Sequence, residues 1–249
     1  MSQILNRKNK ADLAYRLTEA TDKGKELPAI VFLGGFQSDM EGTKAHFLEQ
    51  LCKEKGQAFL RFDYRAHGIS EGDMKEFTIE GAFEDTQDIV EHCFPGQSVF
   101  LVGSSMGGWV SLLFAKHNPE KTYALIGLAP APDFTTWIEE KLSQSQKEEL
   151  EHQGYLEQPN DYGDPYIISK ALLENGRQHL LLESDIPISC PVRLIHGKQD
   201  SDMPWEISNK IAEKLTSTDV KVTFIDDADH RLSSPEELEV LKTHIEALL

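Results

Sequence analysis

The chain is poor in positive charge, in cysteine and in long apolar runs, and each shortage closes off a class of function. Against 42 Asp and Glu it carries 25 Lys and Arg, a formal net charge of -17. Nucleic-acid affinity comes largely from Lys and Arg releasing counterions from phosphates, so a nucleic-acid-binding role is excluded. The three cysteines, Cys52, Cys93 and Cys190, stand far apart without CxxC spacing, which predicts no disulfide framework and no metal site. Runs such as Ala29 to Gly35 and Ser98 to Gly103 fall well short of the roughly 20 residues that span a bilayer. The polar, basic start, Met1 to Lys10, lacks the apolar core of a secretory signal. A soluble, cytoplasmic protein with reduced thiols is expected, and the sequence carries no signal for oligomeric state.

What is present is a chain of 249 residues with 39% hydrophobic content, enough to bury a substantial core. Short β-rich runs alternate with amphipathic stretches, the pattern of an α/β fold whose mostly parallel sheet is covered on both faces. Strands are predicted at Leu13 to Thr18, Ala29 to Leu33, Ala58 to Tyr64, Ser98 to Gly103, Tyr123 to Leu128, Val192 to His196 and Val220 to Asp226. Helices are predicted at Ser38 to Lys55, with Ser38 and Glu41 as a capping box, and at Thr78 to His92, Gly107 to His117, Ile207 to Leu215 and Pro235 to Leu249. From about Pro132 to Pro187 no strand is expected. Helical spacing takes over at Phe134, Trp137, Ile138 and Leu142, followed by a charged stretch, a polar stretch from Gln158 to Pro165, and Tyr166 to Leu173. An insertion of this length within a single sheet domain of 1–249 is predicted to form a helical cap over the strand ends.

Gly103-Ser104-Ser105-Met106-Gly107 follows a predicted strand and opens a predicted helix. A G-x-S-x-G in this context forms a turn so sharp that only glycine fits at its flanks, leaving the central Ser105 exposed at a helix N-terminus. A serine hydroxyl needs a base, and in this chain order the acid and then the histidine follow the nucleophile. His230, beyond the last predicted strand in DDADH, is the candidate base; His196, ending a strand, reads as a packed histidine. The acid comes from HGKQDSDMP, with Asp200 preferred over Asp202 and Asp133 as a third candidate. An oxyanion hole requires two backbone N–H donors, for which Phe36, after Gly34-Gly35, and Met106 are the candidates. Gly35, Trp109 and Trp137 are candidate substrate contacts, and Trp109 and Trp205 are as readily core as pocket wall. Arg61-Phe62-Asp63-Tyr64 with Gly68 reads as a structural strand end and turn.

These residues resemble the α/β-hydrolase superfamily along essentially the whole chain. RFDYRAHG (61–68), VGSSMGGW (102–109), PEKTYALIGLA (119–129) and CPVRLIHGKQDSDMPW (190–205) are closer still to the abhydrolase-domain proteins of the acyl-glucuronide esterase and palmitoyl-protein thioesterase type. The resemblance implies Ser105, Asp200 and His230 as nucleophile, acid and base. It also implies hydrolysis of carboxylic esters or acyl thioesters, on a small-molecule ester or an acylated thiol, with no cofactor. Against this pattern the chain reads GGFQS at the oxyanion segment and shows no mitochondrial presequence, so a bacterial relative or a trimmed mature form is expected. The alternatives are a catalytically silent binding protein on the same scaffold, or a peptidase or acyltransferase built on the same triad.

Overall fold

In the computed structural model, which describes residues 2–159 and 165–249, a sheet of eight strands forms the centre of the molecule. The strands are β1 (Gln3–Leu5), β2 (Leu13–Thr18), β3 (Ala29–Leu33), β4 (Phe59–Phe62), β5 (Val99–Ser104), β6 (Thr122–Leu128), β9 (Val192–Gly197) and β10 (Val220–Ile225). Their spatial order is β1-β2-β4-β3-β5-β6-β9-β10. Only β1 and β2 run antiparallel to their neighbours, and the other six strands are parallel. The seven predicted strands are therefore present, two with identical bounds and five with ends shifted by one or two residues; β1, three residues long and largely exposed, carries no apolar pattern that could have announced it.

The strand side chains alternate between two cores. Along β3 and β5, Val31, Leu33 and Leu101 face one layer, and Ile30, Phe32 and Phe100 face the other. A strand covered on both faces must be apolar at every position, which is why these segments read as continuous hydrophobic runs. Helices α2 (Ile79–Cys93), α3 (Met106–His117) and α7 (Ile207–Lys214) close the first face through Ile89, Leu113 and Ile211. Helices α1 (Thr43–Lys55) and α8 (Pro235–Glu246) close the second through Leu48, Leu51 and Leu241. Each such fully buried aliphatic side chain contributes about 1.5–3 kcal/mol relative to exposure.

Two expectations change. Helix α1 begins at Thr43, not at Ser38, and its N-cap, Gly42, offers no side-chain cap. The expected capping box does not form because its members are engaged elsewhere: Ser38 Oγ donates to the Gly35 carbonyl at 2.8 Å, and Glu41 pairs with Arg61 at 2.7 Å. The insertion between β6 and β9 holds α4 (Phe134–Lys141), α5 (Gln144–Gln153) and α6 (Lys170–Gly176), but also an antiparallel pair, β7 (Tyr155–Gln158) with β8 (Tyr166–Ser169). Four-residue strands are too short to display a period of two, yet Leu156 and Ile168 point into a small core with Leu142, Leu150 and Leu173. The polar stretch predicted between Gln158 and Pro165 falls largely outside the described residues. Among the described residues, no helix is long and apolar enough to cross a membrane.

Backbone packs tightly against backbone where β5 turns into α3. A Cβ on Gly107 would stand 2.1 Å from the Leu33 carbonyl oxygen, and one on Gly103 would stand 2.3 Å from that of Gly107. Gly107→Ala is therefore expected to destabilise the protein by about 3 kcal/mol, because backbone has to yield. Gly154→Ala, at a left-handed helix end (φ 80°) with open space around it, should cost about 1 kcal/mol. Urea unfolding of the two variants checks the difference.

Candidate active site

The residues at the carboxyl ends of β3, β5, β9 and β10 converge on Ser105. This serine occupies φ 54° and ψ -119°, a conformation rare for any residue with a side chain, at the N-cap of α3. Backbone hydrogen bonds hold it there: its N–H donates to the Leu128 carbonyl at 2.9 Å, and its carbonyl accepts from Ala131 at 3.1 Å and Gly108 at 2.9 Å. The hydroxyl is thereby presented above the helix N-terminus, where the peptide dipoles favour negative charge.

Three side chains lie in one hydrogen-bonded line. Ser105 Oγ stands 2.9 Å from His230 Nε2, and His230 Nδ1 stands 2.7 Å from Asp200 Oδ2. The serine hydroxyl donates to Nε2 and Nδ1–H donates to the carboxylate. The G-x-S-x-G turn, the HGKQDSDMP spacing and the chain order pointed to these three, and the fold joins them across 125 residues. The approach of the two loops depends on Gly197, where a Cβ would lie 2.1 Å from the Ala228 carbonyl oxygen. The Gln199 N–H bond to that same carbonyl, at 2.9 Å, ties the acid loop to the histidine loop.

Asp200 is the most heavily bonded group in the site. Its Oδ1 accepts from the N–H groups of Asp202 at 2.9 Å and Met203 at 2.8 Å. Its Oδ2 also accepts from His196 Nε2 at 2.9 Å, and the other nitrogen of that buried ring receives the Ser208 hydroxyl at 2.8 Å. The Asp200 side chain is 0% exposed, against 18% for His230. Burial alone would push its carboxyl up, but the hydrogen bonds from His196 and His230, the His230 charge and the Met203 N–H together hold it well below the usual carboxylate range. His196 is packed, as its sequence position suggested, and it is also bound to the acid; only its place four residues before Asp200, at a strand end, hinted at that.

The other candidates fall into place around this line. Asp202 is exposed and offers its backbone, not its carboxylate, to Asp200. Asp133 is buried and its two oxygens accept the N–H groups of Leu181 and Leu182, both at 2.9 Å, so it fastens the end of the insertion and does not reach His230. Donor atoms of Asp200, Asp202 and His230 lie within 4.8 Å of one another, as a cation site would require. Both oxygens of Asp200 and both nitrogens of His230 are already committed to the bonds above.

A cavity of about 1000 Å³ opens over Ser105. The insertion lines it with Phe134, Trp137, Ile138 and Ile168 beside the polar Lys141, Gln146 and Gln158, and the sheet domain adds Lys44, Asp229, Arg231 and Ser233. Burial, with the nearby Arg231, pushes the Lys44 ammonium down to about 8, and it donates to the Arg231 carbonyl and to Ser233 Oγ. Gly35, Phe36, Met106 and Trp137 line the cavity. Trp109 does not. It is fully buried on α3, edge-on to Phe134 at 5.7 Å, with its indole N–H on the His179 carbonyl at 3.2 Å. Trp205 packs edge-on against Phe224 at 4.9 Å, outside the cavity lining. Among the described residues, the N–H groups of Phe36 and Met106 donate to no protein acceptor.

Because the Asp200 carboxyl is depressed in the folded protein, the stability it contributes is present above its ordinary pKa of about 4 and is lost as pH falls toward the folded value. Asp200→Asn has no such group to titrate. The stability gap between wild type and this variant should be full above about pH 4 and narrow below it, as read from urea midpoints across an acid pH series.

Comparison with known proteins agrees with this architecture. The sequence pattern of the family described as serine aminopeptidase, S33, matches residues 24–152. The human palmitoyl-protein thioesterase ABHD10, mitochondrial, is 37% identical over 248 residues, covering 99% of this chain and 79% of that protein. The structure of mouse alpha/beta hydrolase domain-containing protein 10 superposes with a TM-score of 0.88 at 35% identity, covering 100% of this chain and 98% of that one. A hydrolase structure from Agrobacterium vitis S4 gives 0.92 at 33% identity, covering 100% and 97%. On this identity along nearly its full length, and with its parallel sheet and G-x-S-x-G turn, the chain belongs to the α/β-hydrolase family.

Proposed function

We propose that the protein hydrolyses carboxylic esters or acyl thioesters through an acyl-enzyme on Ser105. The observation that carries this reading is the unbroken hydrogen-bonded line from the Ser105 hydroxyl through His230 to the buried Asp200 carboxylate. In the first step His230 Nε2 takes the hydroxyl proton as Ser105 Oγ bonds to the acyl carbon, while Asp200 holds the ring and stabilises its charged form. The carbonyl oxygen becomes an oxyanion, held by the N–H groups of Phe36 and Met106. As the tetrahedral centre collapses, His230 gives the proton to the departing alcohol or thiol. Water then attacks the acyl carbon as His230 takes its proton, and His230 returns that proton to Ser105 Oγ as the carboxylic acid leaves. No cofactor enters these steps.

The insertion at about 132–187 acts as a cap in this reading. Its apolar wall of Phe134, Trp137, Ile138 and Ile168 receives the acyl chain, with Gly35 and Trp137 as substrate contacts. The likeness to proteins named palmitoyl-protein thioesterase supports an acylated thiol as substrate. The substrate is thus an ester or acylated thiol and not a nucleic acid. The compartment is a reducing one, the cytoplasm in the expectation above; the three thiols are unpaired, and the relatives' own names place those proteins in mitochondria. The S33 family's description favours one second reading, peptide hydrolysis, which differs in the leaving group alone.

Ser105→Ala should lower turnover of a palmitoyl thioester by several orders of magnitude and leave the unfolding midpoint nearly unchanged. Intact mass after fluorophosphonate treatment should show a single adduct on wild type and none on the variant. Wild-type turnover in Ser105→Ala would remove the reading. Faster cleavage of aminoacyl p-nitroanilides than of acyl thioesters would replace it with the peptidase one.

A further inference from the structure

His67 is a buried, titratable ring that the mechanism above does not use. It is 2% exposed and enclosed by aromatic rings, edge-on to Phe77 at 4.7 Å, Tyr64 at 5.6 Å and Phe36 at 6.3 Å. Its two nitrogens have unlike partners. Nδ1 lies 3.0 Å from the Arg65 carbonyl oxygen, which can only accept, and Nε2 lies 2.9 Å from the Gln37 backbone N–H, which can only donate. The ring is therefore neutral with its proton on Nδ1, and Nε2 is a pure acceptor. Burial also pushes its pKa down, in the direction that keeps this form.

The residue it grips is the one after Phe36. Gly35 to Ser38 form a tight turn in which the Gly35 carbonyl accepts from Ser38 N–H at 3.3 Å and Ser38 Oγ at 2.8 Å. That carbonyl and the Phe36 N–H belong to one planar trans peptide and point in opposite directions, so Ser38 turns the Phe36 N–H away from itself. The turn passes against the nucleophile: a Cβ on Gly35 would lie 3.4 Å from Ser105 Cβ. The next peptide, between Phe36 and Gln37, is the one whose N–H His67 holds. Gln37 sits at φ 51°, a left-handed conformation that a residue with a side chain adopts only when its surroundings impose it. Its side-chain amide also donates to the Ile167 carbonyl of β8 at 3.2 Å, joining the turn to the insertion.

We propose that His67 is a positioning residue for hydrolysis: its unprotonated Nε2 anchors the Gln37 N–H and so aims the Phe36 N–H at the oxyanion that forms beside Ser105. The proposal rests on the acyl-enzyme reading of Ser105. It gives the histidine of RFDYRAHG a task at the turn that borders Ser105. The same segment is anchored by Asp63, whose carboxylate accepts from the Met40 and Ile69 N–H groups at 2.7 and 3.0 Å.

Three substitutions and two substrates of known chemistry test it. In His67→Gln the amide oxygen reaches the place of Nε2; His67→Asn is a methylene too short, and His67→Phe fills the space without an acceptor. The Asn and Phe variants should lower kcat for p-nitrophenyl butyrate and for butyryl thiocholine by about 10- to 100-fold, since a whole oxyanion donor is worth about 100- to 1000-fold. KM should change little. Inhibition by phenylboronic acid, whose tetrahedral serine adduct carries the negative charge of an oxyanion, should weaken in parallel. His67→Gln should recover most of the lost kcat. Circular dichroism and unfolding midpoints identify folded variants, and the Asn variant stands in if the Phe variant misfolds. Wild-type kcat in a folded Asn or Phe variant, an effect confined to KM, or a loss in the Gln variant as deep as in the Phe variant overturns the proposal. Hydrolysis that survives Ser105→Ala would strike the acyl-enzyme reading instead, so the two failures are distinct.

Discussion

The contact on which the rest of the site depends is backbone against backbone, where the first turn of α3 presses on the end of β3. Gly107 leaves room for the Leu33 and Gly34 carbonyls, at 2.1 and 2.5 Å from where its Cβ would be. This contact brings the Gly35 turn to the side of Ser105, and it holds the serine at a backbone geometry it would not adopt alone. A close packing of peptide groups is stiff, since it has no side-chain rotamers through which to relax. Ser105 and the turn beside it thus share one rigid support.

A second close approach does for His230 what the first does for Ser105. Gly197 lets the 228–229 segment lie against the end of β9, so His230 arrives over Asp200 from a loop that has no regular structure of its own. Asp200 is then sealed and held by four donors, two of them backbone and two imidazole. A buried carboxylate is costly without partners, and with four it becomes a fixed negative charge. His196, itself pinned by Ser208, belongs to that support. The negative charge of Asp200 is thus held behind His230, while the insertion brings Phe134, Trp137, Ile138 and Ile168 to the cavity in front of Ser105.

The insertion is tied to the sheet domain at several points that serve the cavity. The Trp109 indole N–H donates to the His179 carbonyl and the Gln37 side-chain amide to the Ile167 carbonyl, while within the insertion Asp133 accepts from the Leu181 and Leu182 N–H groups and draws its two ends together. The small core of Leu142, Leu150, Leu156, Ile168 and Leu173 packs on Phe36. The ring of Phe36 therefore joins the insertion's core to the turn beside Ser105.

Local pattern by itself determined the α/β class and seven of the strands, and it pointed to Ser105, Asp200 and His230 as candidates, with Asp202 and Asp133 left beside Asp200. Each of these rests on short-range chemistry: apolar runs for strands buried on both faces, glycines for a sharp turn, and a fixed chain order. The tertiary structure decided what depends on partners distant in sequence. Trp109 became core and not cavity wall because the insertion folds over it. Ser38 and Glu41 left the helix cap because the Gly35 carbonyl and Arg61 compete for them. The β7–β8 pair formed because two segments, each too short to show a period, bury Leu156 and Ile168 against one another's neighbours. His196 gained Ser208 and His67 gained the Gln37 N–H across the fold, and such bonds between groups distant in sequence leave no spacing in the chain to read.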